Sequence, residues 1–228
     1  MKYPVVTTLA LLGCSTLAAN AAALLAPTDP IKGGVLNGAS FTVGVPGTAD
    51  GQNNWPNGPD PEPPEDIING FMGGPNEKYL NFAEVNTGIV ISPAAGASQG
   101  PISTMTLWVA NDSPERDPAS YALYGSNAMS ATSAGPFALD EFFLISSGPL
   151  ALPDDRDATR DNAGLSQTVA INATQVYTTY MLIFPTVKNS SANSMQISEL
   201  QFDTIPEPGS AMLALAGAGV TVVRRRRK

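Results

Sequence analysis

Histidine is absent from the 228 residues, and cysteine occurs once, as Cys14. Without histidine, Ser-His-Asp triads, Cys-His dyads and the usual zinc sites are excluded together. Carboxylates are then the only side chains left for acid-base work, and a glycosidase-type pair needs two of them across a cleft. The acids of Pro153 to Asp157 (PDDRD) are the place to look, but Arg156 and Arg160 stand beside them. That stretch reads as a solvated charge cluster, and nothing in the chain identifies an enzyme. Positive charge is scarce as well. Of 12 basic residues, Lys2, Arg224 to Arg227 and Lys228 lie at the ends, leaving Lys32, Lys78, Arg116, Arg156, Arg160 and Lys188 in the body. All of the 20 acidic residues except Glu207 fall in that body. Such a surface argues against nucleic acid or anionic lipid as a partner, since both need clustered Lys and Arg. It suits solubility outside the cell, or cation binding.

What is present begins with the two ends. Lys2, the apolar run Val5 to Leu12 and the small residues Ala18 to Ala23 have the order of a secretory signal peptide, giving a signal segment over 1-23 cut by signal peptidase near Ala21 or Ala23. Leu11 to Cys14 (LLGC) loosely resembles a lipoprotein box, with Cys14 as the lipidated residue. Ordinary cleavage is favoured because that cysteine comes very early behind one basic residue; the mature chain then has no thiol and no disulfide. At the other end, the 13 residues from Ala211 to Val223 are uncharged. As a helix they span roughly 20 Å against a bilayer core of about 30 Å, so a permanent span is marginal. Arg224 to Lys228 then hold the cytoplasmic side. A non-helical Pro206-Glu207-Pro208, a weak apolar helix and a basic end, over 205-228, resemble the PEP-CTERM sorting signal of Gram-negative bacteria. That resemblance implies recognition by an exosortase and cutting near the motif, with transient membrane association through the C-terminal helix beforehand.

Between these ends, with 43% hydrophobic and 14% charged residues, one principal domain is expected over 24-204. Glycines and prolines punctuate short apolar segments, and no long stretch repeats at helical spacing. The reading places strands around Ser40 to Val45, Leu80 to Phe82, Gly88 to Ser92, Ile102 to Ala110, Ser120 to Gly125, Phe142 to Ser147, Gln167 to Ile171, Tyr177 to Phe184 and Met195 to Phe202. In Ile102 to Ala110 apolar Met105, Leu107 and Val109 alternate with Thr104, Thr106 and Trp108, and Tyr180 to Pro185 is a continuous apolar run suited to a strand buried on both faces. Met105, Met181 and Met195 are expected in the core. The Pro- and Gly-rich stretch 47-66 is expected to be a long loop. Arg116 is expected to tie the NDSPERDP loop through Asp112, Glu115 or Asp117.

Ile68 to Phe82, Thr106 to Asn127, Tyr177 to Asn189 and Ser194 to Phe202 resemble, in that order, the discoidin or coagulation factor 5/8 C-type branch of galactose-binding-like domains, over residues 60-204. The fold class expected is therefore all-β: a galactose-binding-like jelly-roll β-sandwich, flanked by an N-terminal signal helix and a C-terminal hydrophobic sorting helix. The family implies loops at one end that bind sugars, lipids or proteins. It also implies a structural Ca2+ between an early loop and the last strand, here Asn69, Asn76 and Glu77 with Glu199; the bland alternative is that Asn76 supports a turn and Glu199 caps the sheet edge. For sugar, Trp55 with Asn53, Asn54 and Asn57 in the long loop offers an aromatic face beside amides, unless Trp55 only pins that loop to the sandwich.

Two functions follow as expectations. One is an exported, non-catalytic surface or matrix protein binding extracellular polysaccharide. The other is a structural or adhesive protein of a biofilm matrix without specific sugar binding. An exposed aromatic platform separates the first from the second.

Overall fold

The computed structural model describes residues 22–44, 62–72, 74, 76–94, 100–156 and 165–205. Trp55, Asn54, Asn57, Cys14, Pro206, Glu207, Pro208 and both flanking hydrophobic segments lie outside them. Among the described residues the regular structure is strands joined by loops and short 3-10 turns, and no helix is long and apolar enough to cross a membrane.

The strands are β1 (Ala22–Ala23), β2 (Ile31–Asn37), β3 (Ser40–Val43), β4 (Tyr79–Asn81), β5 (Thr87–Ile91), β6 (Ile102–Trp108), β7 (Ser120–Ser126), β8 (Phe137–Ala138), β9 (Phe143–Pro149), β10 (Ser166–Ala170), β11 (Thr179–Phe184), β12 (Met195–Ile197) and β13 (Glu199–Thr204). One sheet runs β1-β13-β6-β10 and the other β8-β3-β2-β5-β11-β7-β9, with β12-β4 as a small separate pair. All pairs are antiparallel. Met105, Leu107, Leu200 and Phe202 from the first sheet meet Ile89, Ile91, Leu123, Tyr180, Leu182 and Phe184 from the second in one core. This is the expected all-β sandwich.

Strand β11 explains the larger sheet. All six of its residues are buried. Tyr180, Leu182 and Phe184 enter the main core, while Met181 and Ile183 enter a second cluster on the opposite face, closed by Phe41, Val90, Phe137 and Phe142. Alternation sends successive side chains to opposite faces, so a strand covered on both sides must be apolar throughout. Met105, Met181 and Met195 are fully buried, as expected.

Two departures from the expected strands have physical causes. Strand β2 carries Gly33-Gly34, which weakens any strand signal. The structure needs the second glycine: a Cβ there would stand 2.2 Å from the Thr42 carbonyl oxygen and 2.7 Å from the Phe41 ring. Met195 to Phe202 is two strands, not one. It breaks at Ser198, so that β12 pairs with β4 while β13 pairs with β6. A change of partner leaves no mark on a two-residue period.

Register also fixes which residues share an end. Ala22 lies opposite Thr204, and Thr204 opposite Ile102; Gly125 lies opposite both Tyr180 and Phe143. The segment 171–178 joins β10 to β11 across this end, where β1 begins and β13 finishes. Glu199, Trp108 and Phe184 belong to the other end.

Candidate functional site

At the end where β13 finishes, aromatic rings form a path from core to solvent. Phe202 and Tyr180 meet edge to face at 5.7 Å, Tyr180 and Tyr177 at 6.2 Å, and Tyr177 stacks on Phe143 at 6.5 Å and 23°. The first three rings are buried, whereas Phe143 is 66% exposed. Tyr177 can lie inward only because residue 125 is glycine: a Cβ there would stand 2.3 Å from its ring. Its hydroxyl donates to Gln175 Oε1 at 3.2 Å, and its backbone N–H donates to the Tyr180 hydroxyl at 3.3 Å. Asn127 holds the neighbouring backbone, accepting from Thr178 N–H at 2.9 Å and donating to the Val176 carbonyl at 3.4 Å.

Asn127, Gln175 and Thr178 are exposed beside this path, and Asn172 and Thr174 are exposed earlier in the same segment. On the other sheet at the same end, a groove of about 260 Å³ opens between Pro101 to Ser103 and Ile171 to Thr174, with Ile205 at its side. The segment 171–178 runs from groove to ring stack. An apolar ring face ringed by amides and hydroxyls suits a ligand that is apolar on one side and polar at its rim. Reading Phe142 to Ser147 as a strand did not find this platform, because which face of an edge strand stays open depends on its neighbours.

The opposite end holds the expected cation residues. A 3-10 turn, Pro64–Ile68, leads into Asn69 and Gly70. Glu199, the first residue of β13, is buried, and its Oε2 accepts from Gly70 N–H at 3.2 Å. Asn69 Nδ2 donates to Glu77 Oε2 at 3.1 Å and to Asp66 Oδ1 at 3.4 Å, while its Oδ1 accepts from Phe71 N–H at 2.7 Å. Asn69, Glu77 and Glu199 are thus brought together, with Asp66 as a member the sequence reading missed. Asn76 is exposed with φ 61°, a left-handed turn conformation that asparagine tolerates. Burial pushes the Glu199 carboxyl up to about 8, and Asp66 adds to the rise against the pull of the Gly70 hydrogen bond. These donors are all oxygen, which suits a hard cation by chemistry. Their spacing is another matter: among the described residues no group of three His, Cys, Asp or Glu side chains is arranged to hold a metal. As the loop stands, the Asn69 amide does the joining.

Beside it, the NDSPERDP loop is clamped differently from the expectation. The guanidinium on Asp117 comes from Arg156, not Arg116, and Lys188 Nζ reaches the same Oδ2 at 3.0 Å. Arg156 Nε also donates to the Asp112 carbonyl at 3.2 Å. PDDRD is therefore solvated only in part, since Asp154 is exposed while Arg156 turns inward. Burial holds the Asp117 carboxyl above the usual carboxylate range, although the Lys188 hydrogen bond and the Arg156 and Lys188 charges pull it down. The Asp117 and Asp154 carboxylates are thus tied into the loop closure through Arg156 and Lys188.

No protein-family model and no curated protein matches the chain. Solved structures resemble its trace. The family 32 carbohydrate-binding module of Clostridium perfringens NanJ, in complex with galactose, aligns with TM-score 0.49 and 9% identity over 81% of this chain and 99% of that one. A second Clostridium perfringens CBM32 module, in complex with GalNAc-β-1,3-galactose, gives 0.46 and 12% over 79% and 99%. The family 32 module of Streptococcus pneumoniae EndoD gives 0.42 and 11% over 65% and 89%. The sugars named are those of these proteins.

Removing Asp117 tests the clamp. Asp117→Ala leaves two cations without their buried partner and should cost about 3 kcal/mol or more in urea unfolding. Asp154→Ala, at an exposed member of the same cluster, should leave the transition where it is.

Proposed function

We propose that this sandwich is a non-catalytic carbohydrate-binding module of an exported protein, with Phe143 as its stacking platform. One observation carries the reading: a phenylalanine 66% exposed at the end of a ring stack rooted in the core. A rigid, backed aromatic face is what a pyranose stacks on, and Asn127, Gln175 and Thr178 stand near to meet its hydroxyls. Extracellular polysaccharide is the ligand class this suits. Trp55, with Asn54 and Asn57, is a second proposed contact. The matrix-protein reading has its own support, since β9 is an edge strand on which Leu144 is exposed beside Phe143, a surface that also suits protein contact. A glycan array decides between them. The unsubstituted chain should bind, Phe143→Ala should bind about tenfold more weakly, and equal binding by the two would remove Phe143 from the site. No binding to any glycan favours the matrix role.

Calcium at Asp66, Asn69, Glu77 and Glu199 is proposed as a structural ion that closes the loop onto β13. Support comes from the oxygen-only donors and from a buried Glu199 beside the negative charge of Asp66, which a bound cation would balance. Calcium should raise Tm over that in EDTA, and Glu199→Ala should abolish the rise. An unshifted Tm in the unsubstituted protein disposes of the site.

Export by signal peptidase and sorting by an exosortase at Pro206-Glu207-Pro208 are proposed from the two ends of the sequence. The mass of surface-exposed protein should correspond to a chain lacking the segment after that motif. A tail retained on all surface protein would sink the sorting reading.

A further inference from the structure

Three separate segments bring Lys78, Glu62 and Asp112 together. Glu62 stands just before the 3-10 turn, Lys78 just before β4 and Asp112 just after β6. Lys78 is 3% exposed and Glu62 6%. Lys78 Nζ lies 2.8 Å from Asp112 Oδ1 and 3.5 Å from Glu62 Oε1, and it donates to Gln196 Oε1 at 3.1 Å. The backbone of Asp112 is held too, its carbonyl accepting from Gln196 Nε2 and from Arg156 Nε. Amine and carboxyl are therefore fixed in contact by residues from other strands, the condition under which intramolecular reactions gain most. Burial holds the Glu62 carboxyl above its ordinary range despite the Lys78 charge, so it can take up and return a proton. The buried Lys78 ammonium also carries a desolvation cost that a neutral amide does not.

We propose that Lys78 and Asp112 join in an intramolecular isopeptide bond, with Glu62 as the proton-transfer group. In the ion pair, Nζ passes one proton to the Asp112 carboxylate, leaving a neutral amine beside a neutral acid. The amine adds to Cγ of Asp112, and the N–C bond forms. Glu62 takes the second proton from the nitrogen and hands it to the departing hydroxyl. The C–O bond breaks and water leaves. Ammonium and carboxylate become amide and water, so charge and atoms balance without oxidant or cofactor. The Asp112 side chain is 45% exposed, which gives the water a way out. The bond would close β4, β5 and β6 into one covalent ring, a cross-link in a chain whose one cysteine is Cys14.

Intact-mass spectrometry of the purified full chain, with peptide mapping, tests this. The folded chain should be lighter than its sequence by one water, and digestion should yield one branched peptide containing Lys78 and Asp112. Lys78→Arg and Asp112→Ala should restore the full mass. Glu62→Gln, shown to be folded by circular dichroism, should remain at full mass or lose water far more slowly. A folded, unsubstituted chain at full mass, with Lys78 open to amine labelling after denaturation, overturns the proposal. Water loss at an unchanged rate in folded Glu62→Gln overturns the role given to Glu62.

Discussion

Strand β11 lies inside the seven-stranded sheet with hydrophobic clusters on both faces, and most of the molecule is arranged to keep it covered. Burying side chains such as Leu182, Ile183 and Phe184 is worth roughly 1.5–3 kcal/mol each, so the coverings on both sides are strongly favoured. The four-stranded sheet supplies one cover; Phe41, Phe137 and Phe142 supply the other. Where β11 begins, the main core runs out of sheet to hide beneath. There Tyr177 folds onto Gly125, and the ring stack surfaces at Phe143. The exposed ring is thus the outer end of the core itself, backed by the buried rings of Tyr177, Tyr180 and Phe202.

At the opposite end, loop closure falls to charge. Lys78, Arg156 and Lys188, half of the basic residues in the body, are drawn into contacts with Glu62, Asp112, Asp117 and Asp154. These cations hold three loops against the ends of β4, β6 and β7. The body has few positive groups, and Lys78, Arg156 and Lys188 among them are engaged with carboxylates of the same chain. The two ends therefore differ in kind: one is aromatic and amide-lined, the other a set of internal ion pairs beside an oxygen-rich loop.

The strands whose apolar residues alternate or run together were legible. Ile102 to Ala110 and Tyr180 to Phe184 announce their burial through period alone. Strand β2 was not legible, since Gly33-Gly34 suppresses the signal although Gly34 exists to let Phe41 approach. Sequence adjacency offers Arg116 as the tie to Asp112, Glu115 or Asp117, whereas the guanidinium on Asp117 is that of Arg156, 39 residues away. The early loop and last strand were paired through resemblance, and the backbone contact of Gly70 with Glu199 across 129 positions agrees with that pairing, while Asp66 entered only through geometry.

The amino-acid sequence by itself determined the all-β class, the central apolar strand, the acidic body and the exclusion of histidine chemistry, because these depend on composition and local period. Tertiary structure decided which phenylalanine reaches solvent, which arginine turns inward and which lysine meets a carboxyl. Those outcomes rest on contacts between residues far apart in the chain. Local pattern says that a side chain is apolar or charged; only packing says what stands opposite it.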